Sequence, residues 1–248
     1  MSTAPAALGS LPAGAPSVRT ENATMAIVGV AHGTSHFFHL TLAPLFPWLK
    51  DAFALSYSEL GLLVTVFFIV SGVGQALSGF LVDRIGAWPV MMGALGSFVL
   101  AACVLAGAPG YAGLMLGAVL CGVGNAPFHP VDYSILNARI SPARLGKAYA
   151  IHGVSGSLGW ALAPALLATV AQFAGWRIAF LAAGLVALAV MGAVWRYRAL
   201  MQGVGGAGSA AHAATSAPGV STFGFLRLPA VWLSFWFFFA GAAQHVHR

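Results

Sequence analysis

Three histidines with helical spacing are the first residues in this sequence that could do chemistry. His32, His36 and His39 are separated by four and three positions, so they share one face of a helix. They stand in an apolar stretch, and ionisable groups are costly in lipid, which makes each one a functional candidate. A histidine near mid-bilayer can relay protons or bind a solute. The alternative is that these rings only donate to backbone carbonyls inside a helix bundle.

A second polar group falls in the stretch FHPVDYS, residues 128–134. Pro127 and Pro130 flank His129 and predict a bend in the surrounding helix. Asp132 is expected near the cytoplasmic end of that helix, as a gate or proton acceptor that meets Arg139 or His152, or else as an exposed acid at the interface. Five further polar residues are weaker candidates for the substrate and proton pathway: Gln75, Asn125, His152, Ser155 and Ser157. Such side chains more often form hydrogen bonds between helices than bind a solute.

We expect no metal centre and no cofactor. The face that carries the three histidines of residues 32–39 shows no carboxylate or thiolate, and a metal site needs further ligands from other helices. Cys103 and Cys121 fall in apolar runs without a CxxC spacing, which indicates small core residues rather than a disulfide.

The composition is that of a membrane protein. Hydrophobic residues make up 59% of the 248 and charged residues only 6%, against about 45–50% apolar residues in soluble domains. The 31 glycines are typical of helices that pack closely in lipid. The net charge of +6 comes from scattered bases, so no nucleic-acid surface is expected and the bilayer is the predicted partner.

Six membrane spans are predicted between residues 24 and 196, joined by short connections that make neighbouring helices antiparallel. Residues 1–23 are predicted to be a disordered cytoplasmic tail, 197–229 a cytoplasmic linker, and 230–248 part of a seventh span. The expected spans are about 24–48, 58–79, 88–107, 111–137, 147–171 and 176–195.

The basic residues predict a cytoplasmic amino terminus in the inner membrane. Lys and Arg are retained on the cytoplasmic side. With that orientation the outer connections hold only Lys50 and Arg177, whereas the cytoplasmic segments hold eight bases: Arg19, Arg84, Arg139, Arg144, Lys147, Arg196, Arg198 and Arg227.

The stretch GFLVDRIG, residues 79–86, would then lie between spans 2 and 3 on the inner face. Gly79 is expected to let span 2 approach a neighbour, and Asp83 to stand just before span 3, at a helix start. Gly79, Asp83, Arg84 and Gly86 resemble the loop signature of the major facilitator superfamily, although Ala87 and Trp88 replace its final basic residues. The resemblance implies a gating role for Asp83.

Two further stretches carry the resemblance. GWALAPALLA, residues 159–168, is similar to the antiporter motif of the fifth span, through Gly159, Ala163 and Pro164. HFFHLTLAPLFP and FHPVDYS resemble the fosmidomycin-resistance branch of drug exporters. The fourth-span arginine of many proton-coupled members falls at Ala118, so proton coupling through that arginine is not supported.

The resemblance implies an all-α membrane fold: a six-transmembrane-helix bundle of major-facilitator type plus a partial seventh helix. A typical member has twelve spans in two halves, so this chain would be one half that works with a second half or as a homodimer, or is inactive alone. The implied function is secondary transport of small solutes, as a proton-linked exporter of drug-like or sugar-like molecules.

One alternative is an intramembrane serine protease of rhomboid type. HGVSGS, residues 152–157, contains the Gly-x-Ser-Gly pattern with Ser155 as nucleophile. The sequence argues against this alternative, because a protease of that type needs a histidine base from a different, late helix. The predicted sixth span holds no histidine, and His152 is a poor base because it lies on the same helix as Ser155. A seven-span receptor is opposed by the inside amino terminus. We therefore expect a transporter and not an enzyme.

Overall fold

The computed structural model describes residues 16–206 together with 228–229, 231–233 and 236. Over residues 16–206 the chain forms α-helices joined by short turns and 3-10 helices, with no strand in that range. The α-helices are α1 (Val18–His39), α2 (Phe46–Phe53), α3 (Tyr57–Ile85), α4 (Ala87–Gly107), α5 (Tyr111–Asn125), α6 (Phe128–Arg139), α7 (Leu145–Ala174) and α8 (Trp176–Arg196).

Local sequence signals set several helix ends. Ser17 caps α1 by accepting the Thr20 N–H, and Ser56 forms a capping box with Glu59 at the start of α3. Gly86 has φ +90° and separates α3 from α4, a backbone conformation that a residue with a side chain rarely adopts. A single glycine therefore reverses the chain between these two long helices.

Five helical stretches in the described part of the chain are long and apolar enough to cross a membrane: Tyr57–Ile85, Ala87–Gly107, Tyr111–Arg139, Pro142–Ala174 and Trp176–Arg196. The sixth bundle helix is α1, which has 22 residues but is less apolar because of its histidines, serine and threonines. It packs along α7 and also contacts α5, α6 and α8. The polar helix thus lies inside the bundle.

The helix boundaries differ from the sequence prediction in three places, and one of them is the end of α3, which lies at Ile85 and not near residue 79. The first helix begins at Val18 and not near residue 24, and it ends at His39, where a 3-10 turn and α2 follow. The fourth predicted span is interrupted between Asn125 and Phe128, at the first of the two prolines expected to bend it. The interruption starts a new helix, α6, that carries His129 and Asp132.

The α3–α4 and α6–α7 connections lie at the same end of the bundle, which we call the basic end. Polar contacts hold its segments together. The Ser141 N–H donates to Glu21 Oε1 over 2.7 Å, and the Arg144 guanidinium donates to the same carboxylate and to the Asn22 side chain. These contacts join the start of α1 to the start of α7.

The first residues of the predicted linker fold onto the basic end. The Ala87 N–H donates to the Val204 carbonyl over 2.9 Å, and the Gly206 N–H donates to the Val82 carbonyl over 3.0 Å. Met201 is fully buried. Residues 207–227 of the linker lie outside the described residues, as do residues 1–15 of the predicted tail. Of the predicted seventh span only 231–233 and 236 are described, and they are helical.

Two expectations for GFLVDRIG are wrong. Asp83 lies in the last turn of α3, exposed, and the residue before α4 is Gly86, so Asp83 does not cap a helix start. Gly79 has open space around the position of a Cβ atom, so no described residue approaches it closely. The turn glycine of this stretch is Gly86, because its positive φ ends one helix and begins the next.

Candidate functional site

Five of the eight histidines and one aspartate form a connected group inside the bundle. We call this the histidine–aspartate cluster: His32, His36 and His39 from α1, His129 and Asp132 from α6, and His152 from α7.

Asp132 is the centre of the histidine–aspartate cluster. Its Oδ2 atom lies 3.0 Å from His32 Nδ1 and 3.1 Å from His152 Nε2, and the carboxylate is fully buried. The two imidazoles stack with their centroids 3.5 Å apart. Asp132 therefore meets His152, one of the two partners expected from the sequence. Arg139, the other, donates instead to the Gln202 carbonyl.

The remaining histidine rings extend the cluster from His32. His36 lies 4.5 Å from His32 and His39 lies 4.6 Å from His36, measured between ring centroids. His129 meets His32 edge-on at 5.1 Å. The indole N–H of Trp160 donates to His39 Nδ1 over 3.1 Å. The three rings of α1 thus form the face that their spacing predicts.

Several polar atoms of the cluster are buried without a hydrogen-bond partner among the described residues. They are Asp132 Oδ1 and both ring nitrogens of His36. Burying such atoms without a partner costs about 1–3 kcal/mol each. A site with this many open donors and acceptors is suited to a polar ligand or an ion.

Glycines of α7 bring that helix close enough to α1 to assemble the cluster. A Cβ atom at Gly159 would lie 2.1 Å from the Gly33 carbonyl, and one at Gly156 would lie 2.9 Å from the His36 ring. Gly159, Ala163 and Pro164, the residues of the antiporter-like motif, lie on α7, and the first two are buried. In this half of the fold the motif's glycine is a packing contact against α1.

A second hydrogen-bonded group lies beside the cluster and contains one of the weaker candidates. The Ser71 hydroxyl donates to Asn125 Oδ1 over 2.6 Å, and Asn125 Nδ2 donates to the Ser35 carbonyl over 3.2 Å. This buried link joins α3, α5 and α1. Gln75 is exposed on α3, and the Ser157 hydroxyl donates to the Gly153 carbonyl of its own helix.

Ser155 is not arranged as a protease nucleophile. Its hydroxyl donates to the backbone carbonyl of His152 over 2.7 Å, while His152 Nε2 is engaged by Asp132. A nucleophilic serine needs a hydrogen bond to the ring of its base, and here it bonds to the backbone.

The sequence interpretation missed how the carboxylate meets the histidine face. The premise that this face lacks a carboxylate is wrong, because α6 brings Asp132 against His32. Likewise Asp132 is not an exposed interface acid, since it is fully buried. The available signal was Pro127, where the helix is interrupted just before the segment that carries Asp132.

Known proteins resemble both the sequence and the fold. The fosmidomycin resistance protein of Escherichia coli (strain K12) is 26% identical over 201 residues, 79% of this chain and 49% of that protein. The membrane sensor protein UhpC of Salmonella typhimurium is 33% identical over 156 residues, 61% of this chain and 34% of that protein. The chain therefore spans about half or less of the length of these relatives.

The fold is also that of solved transporters. The crystal structure of the POT family transporter PepTSo aligns with this chain with a TM-score of 0.63 and 15% sequence identity. The alignment covers 75% of this chain and 38% of the PepTSo chain. Residues 25–246 match the Major Facilitator Superfamily. This chain is a multi-pass membrane protein and belongs to the Major Facilitator Superfamily, a family of transporters and not of enzymes.

Proposed function

We propose that the chain is half of a secondary active transporter that exports a small drug-like or sugar-like solute in exchange for protons. The observation that carries this proposal is the buried Asp132 carboxylate, bonded through Oδ2 to two histidines while its Oδ1 has no partner among the described residues. Polar groups at the centre of a membrane bundle are costly, so they mark a solute or ion pathway.

The names of the relatives support the direction and the solute class. One relative is a fosmidomycin resistance protein from Escherichia coli, and another is a chloramphenicol resistance protein from Pseudomonas aeruginosa. A third relative is a probable L-galactonate transporter. Resistance is the expected result of export. Protons are proposed as the counter-ion because a proton gradient can drive such uphill export across the inner membrane.

The proposed orientation puts the basic end, and with it the amino terminus, in the cytoplasm of an inner membrane. Bases are retained on that side. The exposed Asp83 and Arg84 then face the cytoplasm at the α3–α4 connection, where the family resemblance implies a gate. Because the chain covers about half the length of its relatives, we propose that a second copy of this chain closes the solute pathway.

The experiment is uptake into everted inner-membrane vesicles energised by respiration. The probes are radiolabelled fosmidomycin, chloramphenicol and L-galactonate. Vesicles with the full chain are expected to accumulate at least one probe above vesicles without it, and a protonophore is expected to abolish the accumulation. Asp132→Ala is expected to lose it, and Ser157→Ala, whose hydroxyl bonds only within its own helix, to keep it.

Two results would overturn the proposal. One is that no probe accumulates above the control vesicles while the chain is present at normal levels in the membrane. The other is that Asp132→Ala transports as well as the unchanged chain. Binding of a probe without accumulation would replace transport by sensing, the role that the name of UhpC gives to that relative.

A further inference from the structure

A group of three histidines in the cluster has the composition and spacing of a metal site. One ligand nitrogen from each of His32, His36 and His129 lies within 4.8 Å of the other two. Neutral imidazole nitrogens are preferred ligands of Zn²⁺, Ni²⁺, Co²⁺ and Cu²⁺. We propose that His32, His36 and His129 bind one divalent transition-metal ion of this class.

His36 supplies the independent observation that points to a ligand. Both of its ring nitrogens are buried and lack a hydrogen-bond partner in the described part of the chain. An imidazole always has a donor or an acceptor at each nitrogen. Coordination would satisfy one of them, and it would break no hydrogen bond that the ring now makes.

His32 is already oriented as metal ligands are. Its Nδ1 atom bonds to Asp132 Oδ2 at 3.0 Å, and the same oxygen atom is also bonded by His152 Nε2 at 3.1 Å. Metal-binding histidines commonly bond to a carboxylate through one nitrogen and to the ion through the other. The Nε2 atom of His32 lies on the side of Gly156, as does Nδ1 of His36.

The geometry needs only small rotations. At Zn–N distances of about 2.0–2.1 Å, tetrahedral ligands are about 3.4 Å apart, so nitrogens that now lie within 4.8 Å close by about 1.4 Å at most. The rings of His36 and His129 are half-buried, which leaves room for that movement. Three protein ligands leave a fourth position for water or a solute.

Charge also favours this group over the other possible one. Asp132, His32 and His152 could also hold an ion, but Asp132 Oδ2 already bonds to both of these rings, and an ion bound there would compete with those two hydrogen bonds. No Lys or Arg of the described residues pairs with Asp132. A divalent cation at the three-histidine site would place a positive charge beside this buried carboxylate, which is stabilising.

The test is Co²⁺ binding to the full chain, purified in detergent without a histidine tag. The sequence holds three more histidines, so the background carries His212→Ala, His245→Ala and His247→Ala. Titration with Co²⁺ alone is expected to give visible absorption bands that saturate at one ion per chain. One equivalent of Zn²⁺ is expected to remove them.

Variants separate the assigned ligands from their neighbours. His36→Ala and His129→Ala are expected to lose the bands, while His39→Ala, which lies in neither possible group, is expected to keep them. Asp132→Asn is expected to weaken binding about 10–100-fold, the usual effect of changing a ligand's supporting carboxylate. Circular dichroism and size exclusion confirm that each variant is folded.

Some results would overturn the assignment. Absence of Co²⁺ bands in the unchanged background would do so, as would equal binding by folded His36→Ala. Loss of binding in His39→Ala would move the site away from the three assigned ligands. The measurement uses no solute and no membrane gradient, so it stands or fails independently of transport.

Discussion

His32 and Asp132 lie 100 positions apart in the chain, yet their Nδ1 and Oδ2 atoms are 3.0 Å apart in the interior of the bundle. The contact joins α1 to α6, and the same carboxylate oxygen joins both to α7 through His152. Three helices therefore depend on one buried acid, and its removal has consequences for stability as well as for function.

Asp132→Ala is expected to lower the thermal stability of the purified chain. The substitution leaves two buried imidazoles without their acceptor, at a cost of about 1–3 kcal/mol, which is several degrees for a chain of this size. Asp132→Asn keeps an acceptor oxygen and should cost less. The check is a thermal melt in detergent, with exposed Asp83→Asn as the matched control. Equal melting of Asp132→Ala and the unchanged chain would contradict the importance of this contact.

Gly159→Ala is expected to separate α1 from α7. Its Cβ atom would lie 2.1 Å from the Gly33 carbonyl, a backbone atom that cannot move aside alone. Overpacking of this kind costs about 1–3 kcal/mol. Gly153→Ala on the same helix meets open space and is the control. Thermal melts compare the two, and a Gly153→Ala variant that melts as low as Gly159→Ala would refute the packing argument.

The contacts of Glu21 predict that the stability of the fold depends on pH. It lies in the first turn of α1, ahead of the predicted membrane span, where the Ser141 N–H and the Arg144 guanidinium hold the pKa of its carboxyl below the ordinary value of 4.5. The charged form therefore stabilises the fold. This contribution is complete above the ordinary pKa and is lost as the pH falls through the lower, folded value.

The melting temperatures of the unchanged chain and of Glu21→Gln are compared between pH 8 and pH 3, and the difference between the two is recorded at each pH. The difference should be constant down to about pH 5 and shrink as the pH falls further. Glu59→Gln is not a suitable control, because Glu59 makes the capping box of α3. Asp51→Asn, at an exposed carboxylate, is used instead. A difference that grows on acidification would contradict the assignment.

The proposed orientation is tested by cysteine labelling in intact cells. In a Cys103→Ser background, Gly146→Cys marks the basic end and Asp51→Cys the opposite end; both positions are exposed. A membrane-impermeant maleimide should label Asp51→Cys directly, and Gly146→Cys only after permeabilisation. The reverse pattern would place the basic end outside the cell.

Sequence reasoning could predict the helices of this chain but not how its polar residues meet. Long apolar runs and glycine breaks fix the start of α3 and both ends of α4 and α8 within a few residues, because a span needs about 20 apolar residues. The end of α3, which lies six residues beyond its predicted end, was not fixed in this way. The face shared by His32, His36 and His39 follows from helical spacing alone.

Contacts between distant segments could not be predicted in the same way. That Asp132 bonds to His32 depends on how α6 packs against α1, and that α7 lies against α1 depends on Gly156 and Gly159. No local pattern encodes these contacts between helices. The early start of α1 is of the same kind, since Glu21 is held there by Ser141 and Arg144 from another connection.

The most direct measurement is equilibrium binding of a transported probe to purified chain, with and without His36→Ala, in the presence of a metal chelator. The His36 ring makes no hydrogen bond to the described residues, so its removal breaks none of the bonds that hold the bundle. If the histidine–aspartate cluster is the solute site, folded His36→Ala should bind the probe at least 10-fold more weakly, a change of about 1.4 kcal/mol. Unchanged affinity in that variant would place the solute elsewhere.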